Sequence, residues 1–287
     1  MSDVSKQPAR GRLAFLCFLQ RGLPERPELP GAPAGVRVSV RPADRQRYAE
    51  LVEQLMVPHL VVEARLAGVH ACGVFVRARA LAHVQWDLPA AATPEQVRAA
   101  WRLVAQLSAR GAGLGVLDAV ALRWHAVRDL PALGGAQPDA PGDDDGLDLG
   151  RELKLEPWSH EAPLVDPAAR PACVRTRGLA KFDQPELLLS DPLGVLGNLE
   201  AARSFLLGLA DQLVSGQRAE AGQVVHLPGW RVDLARPWGL LPERQALTHR
   251  DVLLARLTPQ ETVAAPPARR RLRVRRPASA RLARMRR

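Results

Sequence analysis

The feature that most constrains this chain is a pair of amphipathic helices with strong start and stop signals, each set among short apolar strands. The first opens at Thr93 as N-cap, with Pro94 at the first helical position, Glu95 beside the positive end of the helix dipole and Gln96 completing a capping box. Val97, Ala100, Trp101, Val104 and Leu107 or Ser108 fall on one face, and Gly111 is the stop. The second opens at Asn198, carries Ala202, Phe205, Leu206, Leu209, Ala210 and Leu213 as a wide apolar stripe, and stops at Gly216. Placing Asn198 on Thr93 also aligns Glu200 with Glu95, Arg203 with Arg98, Ala210 with Ala105 and Gly216 with Gly111. The reading is an internal repeat, with helix grammar that recurs for physical reasons as the alternative. The class expected is α+β: two related sheet-plus-helix units in two layers, followed by a disordered basic C-terminal tail.

The strands around these helices follow from apolar periodicity. LAFLCFL, residues 13–19, reads as a buried first strand; its seven residues sit at the bottom of the range for a secretory h-region and no small-x-small cleavage site follows it. Residues 36–40 alternate as VRVSV, a half-buried strand. Tyr48, Leu51, Val52 and Leu55 place a helix over residues 44–56, and Pro58 ends it. The runs LVVEARL and ACGVFVR between residues 60 and 77 flank Ala67-Gly68 and read as a hairpin or paired strands. Strands are expected at residues 114–117 and 120–125. The domain reading is a first unit over residues 1–130, a Pro/Gly/Asp-rich connection over 131–170, a second unit over 171–262 and the tail over 263–287.

The organising stretch of the second unit is residues 174–234. Within it, Thr176-Arg177-Gly178-Leu179-Ala180-Lys181-Phe182-Asp183-Gln184-Pro185-Glu186-Leu187 resembles the T-x-G-L-x-K-F-G-x-P-E-L signature of uncharacterised bacterial domain-of-unknown-function proteins, departing from it at Asp183, where glycine is expected. The resemblance implies an α+β fold and lends no catalytic residues. Arg175, Arg177, Lys181 and Glu186 are the candidate partner or ligand surface; the other reading of these charges is a solvated strand face.

Charge is distributed unevenly. Ten of the forty basic residues are arginines between positions 269 and 287, a segment without Asp or Glu, so the thirty remaining basic residues balance thirty acidic ones. Arg269, Arg270, Arg271, Arg273, Arg275 and Arg276 are the candidate nucleic-acid contacts, which would bind polyanions without sequence preference; a solvated, compositionally biased terminus is the alternative.

Signatures of chemistry do not survive close reading. Gly111-Ala112-Gly113-Leu114-Gly115 follows a helix and opens a strand, the reverse of a dinucleotide loop. Residues 141–152, PGDDDGLDLGRE, place Asp143, Asp145, Gly146 and Glu152 at EF-hand positions, yet a proline occupies the first ligand position, so a solvated acidic connection is the reading. Cys17, Cys72 and Cys173 form no C-x-x-C pair and fit a reducing cytoplasm, and the histidines do not cluster. No catalytic, metal or cofactor residue is assigned, and no apolar run reaches the ~18 residues of a membrane span. The leading functional expectation is a non-enzymatic cytoplasmic interaction or scaffold domain with an unknown protein partner. The alternatives are tethering to nucleic acid through the tail, and an enzyme whose site between the two units uses Arg175, Arg177 and Glu186.

Overall fold

The computed structural model describes residues 11–43, 45–135, 147–159, 163, 164, 166, 169–216, 218–236 and 252–259. It is an α+β structure with two sheets. The N-terminal half supplies β1 (Gly11–Leu19), β2 (Arg37–Pro42), α1 (Arg45–Leu55), α2 (Pro58–Leu66), α3 (Ala71–Arg77), β3 (Ala80–Leu88), α4 (Pro94–Arg110), β4 (Gly113–Asp118), β5 (Arg123–His125) and α5 (Leu130–Leu133). The C-terminal half supplies α6 (Leu149–Glu152), β6 (Lys154–Trp158), β7 (Cys173–Arg177), β8 (Glu186–Ser190), α7 (Pro192–Leu196), α8 (Leu199–Val214), β9 (Val224–Leu227), β10 (Trp230–Ala235) and β11 (Val252–Pro259).

The first sheet has the order β2-β3-β1-β4-β5, every pair antiparallel. Its centre is β1, whose alternation sends Leu13, Phe15, Cys17 and Leu19 against α4 and Phe18 to the opposite face. The helix opens with the capping box at Thr93 and Gln96 and buries Val97, Ala100, Trp101, Val104 and Leu107. Phe18, with Leu117 and Trp124, meets a second apolar cluster built from Leu60 and Ala64 of α2 and Val74 and Phe75 of α3. Helices therefore pack on both faces of this sheet, α2 and α3 over its β1, β4 and β5 side.

Residues 60–77 overturn the expected hairpin: they form α2 and α3. Pro58 supplies the first helical position, Leu60 and Ala64 bury one helical face, and His70 accepts the Gly73 N–H to start α3. Burial of a helical face outweighs the β-preference of the valines.

The second sheet has the order β6-β7-β8-β11-β10-β9, antiparallel except for the β8/β11 pair. Its first strand, β6, lies within the 131–170 stretch and pairs along its length with β7. The expected apolar stripe of α8 is buried, and Asn198 accepts the Ala201 N–H at its start. The two sheets differ in topology. In the first, the strand following the helix, β4, lies inside β5 and next to the chain's first strand; in the second, the strand following the helix, β9, is the sheet edge. One apolar core runs unbroken from the α4 side of the first sheet to the α8 side of the second, joining Leu13, Trp101, Phe182, Leu187, Leu206 and Leu253.

Candidate functional site

The 176–187 motif lies where the two sheets meet, and each of its distinctive residues has a structural partner. Thr176 is fully buried; its hydroxyl donates to Glu186 Oε2 at 2.8 Å and accepts the Leu187 N–H at 2.7 Å. Gly178 takes φ +112°, and its N–H donates to Glu186 Oε1 at 2.8 Å. A Cβ at Gly178 would lie 2.9 Å from the Glu152 carbonyl oxygen, so glycine is required both for conformation and for space. Leu179 and Phe182 enter the shared core. Gln184 donates through Nε2 to the Leu213 carbonyl and accepts the Ala219 N–H, clamping the end of α8. At Asp183, the departure from the signature, φ is +55°, a left-handed conformation in which glycine is the unstrained residue and Asp is tolerated.

Lys181 is the centre of the junction. Its side chain is fully buried, and its ammonium pairs with Asp118 at the end of β4 and with Glu152 Oε2 of α6 at 2.7 Å, while also donating to the Glu152 carbonyl at 3.1 Å. The other Glu152 oxygen accepts the Trp101 indole N–H at 2.8 Å. Burial pulls the Lys181 pKa down, but the two carboxylates outweigh it and hold the pKa above its ordinary value, so the lysine stays charged. Asp118 Oδ1 accepts the Val120 and Ala121 N–H groups, which fixes the turn after β4. A close backbone approach completes the seam: the Ala92 N–H donates to the Lys181 carbonyl, and a Cβ at Gly11 would lie 2.8 Å from that same oxygen.

A second ionic group flanks the first. Lys154 pairs with Glu63 of α2 and with Glu156 Oε1 at 3.2 Å, while Glu156 Oε2 accepts Arg177 Nε at 2.6 Å and the Trp158 indole N–H at 3.2 Å. Two acids and two bases balance here. Arg175 is buried beside them, and its Nε has no hydrogen-bond partner among the described residues. Of the four residues picked from the sequence, Arg175, Lys181 and Glu186 are buried and Arg177 is largely committed to Glu156. The charged row of β7 is therefore not a solvated face. Arg177 pairs with Glu156 of β6, and β6 in turn reaches Glu63 of α2 through Lys154, elements that strand alternation along β7 could not reveal. Arg269, Arg270, Arg271, Arg273, Arg275 and Arg276 lie outside the described residues, as does the expected tail.

Comparison of the chain with protein-family models, with curated proteins and with solved structures gives no match in any of the three.

Other reactive side chains have structural roles. Burial pushes the Cys17 thiol up to about 12 and the Cys173 thiol up to about 11, so neither is a thiolate nucleophile near neutral pH. Glu152, the last position of the EF-hand-like count, is turned to Lys181 and Trp101. Among the described residues no group of three or more His, Cys, Asp or Glu could hold a metal ion, and no helix is long and apolar enough to cross a membrane alone.

One accessible group of charges lies on the first sheet. The register pairs Arg41 with Leu81, Ser39 with His83 and Arg37 with Gln85 on one face of β2 and β3, and Arg12 with Asp87 on β1 and β3. Asp87 pairs with Arg12 and Arg37. Arg41 and Arg79 are exposed at the rim of an open groove of about 950 Å³ at the end of the β2/β3 pair. Nothing in the sequence signalled this groove, because its walls are assembled from β2, β3, α1 and the segment after β1.

Proposed function

We propose that this chain is a non-enzymatic interaction domain that acts in the cytoplasm, and that its kinship is with the bacterial domain-of-unknown-function proteins its 176–187 motif resembles. The observation that carries the reading is the use of the motif itself. Thr176, Gly178, Lys181, Gln184 and Glu186 spend their polar groups on one another, on Asp118 and Glu152, and on the C-terminal end of α8 and the segment after it, leaving no reactive group of the motif presented to a substrate. An enzyme centred on Arg175, Arg177 and Glu186 has less support, since Arg175 and Glu186 are buried, Glu186 is held by Thr176 and Gly178, and Arg177 is paired with Glu156. The test is a hydrolase and transferase panel on the purified full-length chain. No turnover is expected; a reproducible turnover that Arg175→Lys or Glu186→Gln abolishes without unfolding the chain would overturn the reading.

A second reading rests on the ten arginines of residues 269–287 in a chain otherwise balanced in charge. Through them the domain would hold nucleic acid by counterion release. Affinity for random-sequence DNA should then fall steeply with salt and vanish when those arginines are replaced by glutamine. Unchanged affinity in that variant removes this reading.

A further inference from the structure

Among the described residues, helices α1 to α3 cover the β1/β4 side of one face of the first sheet and leave its β2/β3 side open. Phe18 of β1 and Leu117 of β4 are sealed there, whereas Arg37 and Arg41 on the edge strand β2 are exposed. The open part carries Arg12, Arg37 and Arg41, with Arg79 diagonal to Arg41 across the β2/β3 pair, against a single aspartate on the strands, Asp87. Since Asp87 is shared by Arg12 and Arg37, positive charge is left over at Arg41 and Arg79, neither of which makes an ion pair among the described residues. Half-buried His83, in the middle of this face, responds to the same field. Burial lowers its pKa first, and Arg12, Arg37 and Arg41 lower it further.

The groove beside these arginines lies at the sheet's end and is lined by apolar Leu23 and Val40 from one face, and by Leu81 and Tyr48 from the other. One carboxylate, Glu25, also reaches its lining. Deepening the interaction-domain reading, on which it rests, we infer that this face docks an acidic peptide segment of a partner protein: an apolar side chain of the peptide seats in the groove and flanking carboxylates meet Arg41 and Arg79. At about 950 Å³ the groove has room for a short stretch of peptide rather than a folded surface. Nucleic acid fits less well. Base recognition on an open sheet uses aromatic side chains, and the exposed rows of β2 and β3 carry none. The aromatic ring of the groove, Tyr48, is held by its hydroxyl donating to the Phe75 carbonyl and by edge-on packing against Phe75.

The probe is a fluorescein-labelled peptide of alternating Glu and Leu, titrated by anisotropy against the full-length chain and against Arg41→Glu/Arg79→Glu. Both positions are exposed, and an unchanged circular-dichroism melt confirms that the variant folds. Binding weakened about tenfold or more by the double reversal is expected, with a milder loss in Arg41→Gln/Arg79→Gln and with stronger binding at lower salt. An unchanged affinity in the double reversal, which would place binding on the Arg-rich segment instead, overturns the inference. So does preference for a single-stranded oligonucleotide of equal charge that the same variant loses. Absence of peptide binding also overturns the inference, but leaves the non-enzymatic reading standing, because the activity panel reports on that separately.

Discussion

Lys181 Nζ lies 2.7 Å from Glu152 Oε2, and both side chains are shut away from solvent at the seam between the two sheets. Asp118 holds the same ammonium from the first sheet, and Trp101 holds the other oxygen of Glu152 from α4. One lysine thus ties β4, α4, α6 and the turn after β7 into a single polar knot inside an apolar core. Such a group stabilises little compared with apolar packing of the same volume, yet removal of one partner leaves the others buried and uncompensated.

Lys181→Met should therefore lower unfolding stability by about 3 kcal/mol or more. Lys181→Met combined with Asp118→Asn and Glu152→Gln should recover part of that loss, because the orphaned negative charges go with the lysine. Urea unfolding of the three proteins checks both statements. A single variant within about 1 kcal/mol of the parent would mean that the carboxylates are relieved in some other way.

The two left-handed positions of the motif make different predictions. Gly178→Ala places a Cβ against the Glu152 carbonyl at φ +112° and should cost about 1 to 3 kcal/mol. Asp183→Gly restores the residue of the signature at φ +55°, trading backbone strain against chain entropy and an exposed ion pair with Arg218, and should stay within about 1 kcal/mol of the parent. Thermal melts of the two variants should separate them clearly.

These residues also show how far the sequence could be read. The capped helices were legible because a cap, a stripe and a stop are local: Thr93, Gln96 and Asn198 act on amides within three residues of themselves. The α+β class followed from them. The α2/α3 pair was misread because Val61, Val62, Val74 and Val76 favour strands locally, whereas the burial of Leu60, Ala64, Val74 and Phe75 that fixes the helices depends on β1, β4 and β5. The motif stood out in the sequence, but its role did not, since Asp118, Glu152 and Leu213 come from remote segments.

Acid should weaken the fold through His125. This side chain is 7% exposed and edge-on to Trp101, and burial first, then Arg123 and Lys181, lower its pKa to about 3. In the unfolded chain the same imidazole titrates near 6.5. Below that pH the unfolded state takes up a proton that the folded state refuses, so stability falls as pH falls toward about 3; above about 6.5 the residue contributes no slope. The loss from this one group is on the order of 3 kcal/mol at about pH 4. His125→Leu should remove that increment, so the difference in stability between parent and variant should change with pH between about 4 and 7 and be flat above it. A difference independent of pH across that range would show that His125 titrates normally in the folded chain.

The unbroken core predicts how the two sheets come apart. Two sheets with separate helices invite the expectation of two independent folding units, each melting at its own temperature. Yet Leu13, Trp101, Phe182 and Leu206 belong to one apolar cluster, and the Lys181 knot crosses the seam. Melting either sheet alone would expose the face of the other and strand the charges of Asp118 and Glu152, a cost larger than the few kcal/mol that separates partly folded from fully folded states. Calorimetry should accordingly show a single transition whose calorimetric and van't Hoff enthalpies agree. Lys181→Met should shift that transition down without splitting it, because the apolar part of the seam persists. Two resolved transitions in the parent protein would mean that the sheets fold independently and that the polar knot joins units already formed.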